Sequence, residues 1–161
     1  MRAAVVVASN RAAAGTYADT TGPLLAEALR RWGFETPDPV VAPDGEPFGR
    51  ALDTVLAAAP AIVLTTGGTG VSPTDRTPEE TRQRLDLELP GVAEALRAYG
   101  VAQGVPTAML SRGLAGVAGR TVVVNLPGSR GGVRDGLAVL EPVVGHLVDQ
   151  VHGGDHVRGE G

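Results

Sequence analysis

The stretch TTGGTGVSPTDRTPEET, Thr65 to Thr81, sets Gly67, Gly68 and Gly70 directly after an apolar run and puts Asp75 five residues past the last of them. Glycines tolerate φ > 0 and let backbone N–H groups approach an anion closely, so Gly67, Gly68, Thr69 and Gly70 suit a phosphate cradle. A carboxylate at fixed reach from such a loop is what Mg2+ needs. That ion takes one or two carboxylates and completes its shell with water and substrate phosphates. The plain alternative is a tight strand-to-helix connection in which Asp75 is a turn residue. The loop is not a Walker A, since the required Gly-Lys is missing, and it is not G-x-G-x-x-G.

Other residues offer similar pairs of readings. Asp44, in APDGE, sits in turn chemistry, but in a loop between an expected strand and an expected helix. Asp19, in YADTTG, is either an ordinary acid at a helix start or a recogniser of a ribose or base edge. Ser9 and Asn10 follow the first apolar run as caps or as ligand donors. Pro127, Gly128 and Ser129 follow another such run, as a type II turn or as a second ligand loop. Ser111 and Arg112 interrupt an apolar, Gly-rich region, where they satisfy backbone or face a substrate. Arg76 pairs with phosphate or is a solvated surface charge. His146, His152 and His156 all lie near the C-terminus; HGGDH has metal-like spacing, but a Gly-rich tail is a poor cage. There is no G-x-S-x-G and no plausible Ser-His-Asp set. The chemistry open to these loops is phosphoryl or nucleotidyl transfer, which needs positioning and a metal rather than a protein nucleophile.

The elements that must position these residues read clearly. Ala3–Ser9 and Ala61–Thr66 are continuous β-branched runs, expected as buried strands, and RTVVVNL repeats the pattern. Leu24, Leu25, Ala28, Leu29 and Trp32 fall at helical spacing behind Thr21 as the expected N-cap, and Gly33 ends that helix. FETPDPVVAPDG is expected as a short edge strand because of its prolines. Phe48, Leu52, Val55, Leu56 and Ala59 mark a second helix, stopped by Pro60. Pro78 is expected at a helix N1 position with Thr77 as cap. A short helix follows in PGVAEALRAYG, and Val133 to Val151 traces a long amphipathic one. VAQGVPTAMLSRGLAGVAG shows no clear period. This alternation predicts a three-layer α/β/α fold with a mostly parallel central sheet, one domain over 1–161 with a flexible tail over 152–161. The loops after the three buried strands should meet at the sheet's carboxyl edge.

Composition narrows the function. The chain has 161 residues, 43% hydrophobic, with net charge −4, no cysteine, and fourteen basic residues that are all Arg. Lacking Lys, it has no Schiff base, Walker lysine or Ser-Lys dyad; lacking Cys, it has no disulfide, thiolate metal site or Cys nucleophile. An acidic chain without a basic run, 3% aromatic, is not expected to bind nucleic acid. No run approaches a membrane span, and the N-terminal run reads as a strand rather than a signal peptide, so a cytoplasmic location is expected.

TTGGTGVSPTDRTPEET resembles the signature of the MoaB/Mog family of molybdenum-cofactor biosynthesis proteins. LSRGLAG, NLPGSRGGVRDGL and ASNRAAAGTYADTTGP resemble its other motifs, in order, from Ala3 to about Gln150. The resemblance implies a trimeric α/β domain that binds molybdopterin and, in its adenylyltransferase members, joins it to AMP from ATP with Mg2+, releasing pyrophosphate. It implies Asp44 and Asp75 as the essential acids and metal holders, and Gly67–Gly70 along the phosphates. Ser111, Arg112 and Pro127–Ser129 are implied at the ligand pocket, Ser9 among the ligand contacts, and Asp19 near the nucleotide. The molybdenum-insertion protein of the same pathway is an implied partner. Asn10 stands where many members have Asp, Gly45 follows Asp44 where a second acid is common, and PGSR replaces PGNP or PGSP. A non-catalytic molybdopterin carrier of the same fold is the alternative. An amidohydrolase of the pyridine-nucleotide salvage type, which needs a second domain, is a weaker one, and the bare domain disfavours a scaffold role.

Overall fold

The computed structural model describes residues 1–154. Along the chain run β1 (Ala3–Ala8), α1 (Asn10–Ala13), α2 (Thr21–Arg31), β2 (Val40–Ala42), α3 (Glu46–Ala57) and β3 (Ile62–Thr66). Next come α4 (Thr77–Arg82), β4 (Leu87–Glu88), α5 (Pro90–Ala102), a 3-10 turn (Pro106–Leu110), β5 (Ala115–Ala118), β6 (Thr121–Leu126) and α6 (Arg130–Val151). The six strands form one sheet in the order β2-β1-β3-β6-β5-β4. The first four run parallel, and β5 runs antiparallel to both its neighbours, β6 and β4, which gives the mixed, mostly parallel sheet expected.

Two apolar cores flank the sheet because alternate residues of each buried strand face opposite sides. Val5, Val7, Ile62, Leu64, Val122 and Val124 pack against α2, α5 and α6. Val6, Val63 and Val123 pack against Phe48 and Leu52 of α3. The register of the parallel strands matters most for function. Val7 pairs with Thr66, and Thr66 with Leu126, so β1, β3 and β6 end level and their loops emerge side by side.

Some local expectations need correction. Thr21 is the first helical residue, not the cap; Asp19 Oδ1 accepts from the N–H groups of Thr21 (3.1 Å) and Gly22 (3.0 Å) instead. Thr77 likewise lies inside α4, its hydroxyl buried and unbonded, while Arg76 stands at the cap position. Asn10–Ala13, expected as loop, forms a short helix capped by Ser9 Oγ accepting from Ala12 N at 3.1 Å. Ala59 lies beyond α3, at φ 49°, and Pro60 follows it. Of the expected flexible tail over 152–161, residues 155–161 lie outside the described residues, and with them Asp155 and His156 of HGGDH.

Candidate functional site: two acids beside a glycine loop

The Gly-rich loop leaves β3 and is stitched to the loop after β6. Thr66 Oγ1 donates to the carbonyl of Pro127 at 2.7 Å, and Gly67 N donates to Leu126 O at 3.2 Å. Gly67 and Gly68 have φ of 88° and 65°. A Cβ on Gly67 would strike the carbonyl oxygen of Ala8, and one on Gly68 would strike Asp44 Oδ1 and Thr77 Oγ1. Both positions thus require glycine twice over, for backbone sign and for space.

The contact at Gly68 brings the acids into view. Asp44 lies between β2 and α3, and its N–H is held at 3.0 Å by Asn10 Oδ1, from the loop after β1. Its Oδ1 is buried and has no hydrogen-bond partner, and neither has the Oγ1 of Thr77. Asp75 closes the Gly loop: its Oδ2 accepts from Ser72 N at 3.0 Å and lies against Gly70. Burial, followed by the negative charge of Asp75, pushes the Asp44 carboxyl above the usual carboxylate range. Asp44 Oδ1 and Thr77 Oγ1 therefore meet unpartnered at Gly68, with the Asp75 carboxylate two residues on, against Gly70.

This donor set fits Mg2+, which keeps several ligand positions for water and phosphate oxygens and needs only one or two protein carboxylates. Among the described residues there is no cluster of three or more His, Cys, Asp or Glu, so a cation here would depend on a ligand's oxygens to complete its shell. Buried unpaired oxygens otherwise cost stability, which makes them informative.

Beside the loop opens a cavity of about 480 Å³, a size that suits a small-molecule ligand. Of the residues singled out by sequence, Gly68, Thr69, Gly70, Asp75, Ser111, Pro127, Gly128 and Ser129 line it. Gly67 and Asp44 stand immediately behind, against Gly128 and Gly68. Ser9 and Asp19 do not line it; both serve the starts of helices. Arg112 does not line it either. Its guanidinium donates to the carbonyls of Gly70 (2.8 Å) and Asp75 (2.8 Å) and pairs with Glu79, while its N–H donates to Thr69 O at 2.8 Å. It clamps the Gly loop from outside. The pairing holds the Glu79 carboxyl below its ordinary range.

Sequence reasoning missed several residues. Asn125 is a buried amide at the end of β6: it donates to Thr65 Oγ1 (2.9 Å) and Thr81 Oγ1 (3.0 Å) and accepts from Leu114 N (3.0 Å). It ties β3, β6 and α4 together under the loop. A lone amide in the run TVVVNL was the available signal. Arg97 of α5 and Asp135 of α6, both on the cavity wall, had no signal beyond helical position.

A family model described as "Probable molybdopterin binding domain" matches residues 4–146. The chain belongs to the MoaB/Mog family. The Mog protein of Mycobacterium ulcerans is similar in structure, with TM-score 0.89 and 51% identity over 93% of this chain and 98% of that one. A molybdopterin adenylyltransferase of Helicobacter pylori (strain J99) is 33% identical, covering 92% of this chain and 86% of its own length. The molybdenum cofactor biosynthesis bifunctional protein of Chlorobaculum tepidum is 36% identical over 157 residues. The chain spans about half the length of that protein and of its counterpart in Synechococcus elongatus. The MoaB/Mog relationship accounts for the four motifs occurring in order. The site geometry shows what they have in common physically: all four include a loop or helix start at or beside the level carboxyl ends of the sheet. Among the described residues no helix is long and apolar enough to cross a membrane.

Proposed function

We propose that this protein is a molybdopterin adenylyltransferase: it transfers AMP from ATP to molybdopterin with Mg2+ and releases pyrophosphate. The observation that carries the reading is the pairing of Asp44 and Asp75 at Gly68 and Gly70, with the Asp44 Oδ1 buried and unpartnered. The names of relatives at about 33% identity support it.

In the reaction, a phosphate oxygen of molybdopterin attacks the α-phosphorus of ATP. A new P–O bond forms as the bond to the β-phosphate oxygen breaks, and pyrophosphate leaves with that electron pair. Asp44, Asp75 and Thr77 would hold Mg2+, which supplies charge neutralisation on the phosphates. Backbone N–H groups of Gly68–Gly70 would cradle phosphate oxygens, Gly67 N being spent on Leu126 O, and the Arg112 clamp keeps that cradle preformed. The apolar wall of α5 and the 3-10 turn excludes water that would otherwise compete as nucleophile. No protein nucleophile or proton relay is required, so the protein works by orientation and electrostatics. A domain covering 1–161, a homotrimer, a cytoplasmic location and delivery to the molybdenum-insertion protein complete the proposal on the strength of the family resemblance.

Incubation with molybdopterin, ATP and Mg2+ tests it: adenylylated pterin and pyrophosphate should appear in equal amounts. Asp75→Asn should abolish turnover while keeping most pterin binding. Pterin binding by the wild type without product would instead make the protein a carrier.

A further inference from the structure

The wall formed by α5 and α6 carries two charged side chains that adenylyl transfer does not use. Asp135 lies in the second turn of α6 and Arg97 in the middle of α5, and both line the cavity. They are not paired with each other. Arg97 spends one nitrogen, Nη1, on the carbonyls of Ser111 and Gly113, each at 3.3 Å. Asp135 is half-buried and makes no hydrogen bond or ion pair with any described residue.

Its surroundings direct the carboxylate into the cavity. A helical side chain lies over the turn N-terminal to its own Cα, on the face of residues i−3 and i−4. For Asp135 these are Gly132 and Gly131, which also line the cavity and have no side chains to obstruct it. Across from it, Ala93 and Leu96 present a smooth apolar surface, and Gly100 is closed off by Ala108, whose Cβ would lie 2.6 Å from any added Cβ. The result is an apolar chamber with one unpaired carboxylate, a design that fixes the orientation of a flat ligand by few polar contacts.

We propose that Asp135 is a specificity-determining residue that reads the pyrimidine edge of the pterin ring. That edge carries the N3–H and the 2-amino group side by side, two parallel donors that match the two oxygens of a carboxylate as a guanidinium does. The adjacent 4-oxo group is an acceptor, and Arg97, on the same chamber, has N–H groups left to serve it. This assignment rests on the molybdopterin reading above. A site built to accept two hydrogen bonds rejects a ring that lacks one of the donors, because a carboxylate oxygen is then left facing an acceptor.

Binding of pterin and of lumazine tests this, by fluorescence titration at a slightly acidic pH where both rings are neutral. Lumazine keeps the ring shape and N3–H but has a 2-oxo group in place of the 2-amino group. The wild type should bind pterin at least tenfold more tightly than lumazine. Asp135→Asn offers one acceptor and one donor, so it should reverse the order, and Asp135→Ser should erase the preference without reversing it. An unchanged pterin-to-lumazine ratio in both variants overturns the role of Asp135 while leaving the molybdopterin reading standing. Loss of adenine-nucleotide binding with an unchanged ratio assigns the carboxylate to the nucleotide and overturns it too. Failure of the wild type to bind either ring overturns the molybdopterin reading, and this assignment with it.

Discussion

The Oδ1 of Asp44 is buried beside Gly68 without a donor, and its carboxyl titrates above the usual range, first because of burial and then because Asp75 is negative. The sign of the consequence for stability follows from linkage. An acid whose folded pKa is raised binds its proton more tightly in the folded state. It therefore subtracts stability above its unfolded pKa, and the loss is relieved as pH falls through the raised value. Asp44→Asn should accordingly raise Tm at neutral pH in the absence of divalent cations, by no more than about 2–4 °C, the shift that ~1 kcal/mol produces in a chain of this size, because solvent screens a half-buried acid. Added Mg2+ should raise the wild-type Tm and leave that of the variant unmoved. A thermal melt series with and without Mg2+ checks both, and a lower Tm for Asp44→Asn would mean that the carboxylate supports the fold rather than opposing it. Local sequence around Asp44 reads as Pro-Asp-Gly turn chemistry, and only the family resemblance implies it as an essential acid. Its buried oxygen depends on Gly68, which is distant in sequence, and no local pattern could report that.

At the scale of elements, the Gly loop is held by Arg112 through carbonyls 42 and 37 residues away and a carboxylate 33 residues away. Its guanidinium fork reaches Gly70, Asp75 and Glu79 at once, geometry that a lysine or alanine cannot reproduce. Arg112→Ala should cost about 1–3 kcal/mol, because it leaves half-buried acceptors unpaired. It should also raise hydrogen exchange across residues 70–76 more than in β3 or β6. Urea unfolding and exchange mass spectrometry measure the two effects, and uniform exchange along the chain would show that the clamp is only a surface contact. The same separation explains what was readable. The strands β1, β3 and β6 are continuous β-branched runs, and their loops carry Gly and Pro, so their place at one edge followed directly. The stretch from Val101 to Gly119 is rich in Ala and Gly and lacks a period, so the 3-10 turn, which packs on α5, and β5, which pairs with β6, emerged only from tertiary contacts. Cap assignments at Thr21 and Thr77 failed because Thr20 and Arg76 hold the cap positions, with Asp19 accepting from the first N–H groups of α2, while both threonines were drawn into the helix.

For the whole molecule, the acids that hold α4 in place set the acid limb of stability. Glu79 is pulled below its ordinary value of 4.5, chiefly by its hydrogen bond to Arg112. Asp53 is pulled below 3.8, chiefly by Arg84, which donates to it at 2.6 and 2.8 Å and also pairs with Glu80. One pair docks α4 to the segment before β5, and the other docks the end of α4 to α3. Groups with lowered folded pKa contribute stability that is present above their unfolded values and lost as pH falls through their folded values. The wild type should therefore lose stability as pH drops below about 4.5, the ordinary value of Glu79, with loss continuing below 3.8 as Asp53 follows. The share from Asp53 should be the smaller, since its side chain is 58% exposed and solvent screens the pair. Glu79→Gln with Asp53→Asn should be less stable at pH 7 but show a flatter decline as pH falls below 4.5, so the two curves converge in acid. Urea midpoints across that range measure the slopes. Parallel curves would place the acid sensitivity elsewhere, and would detach the anchoring of α4, and with it the seat of the Gly loop, from these two arginines.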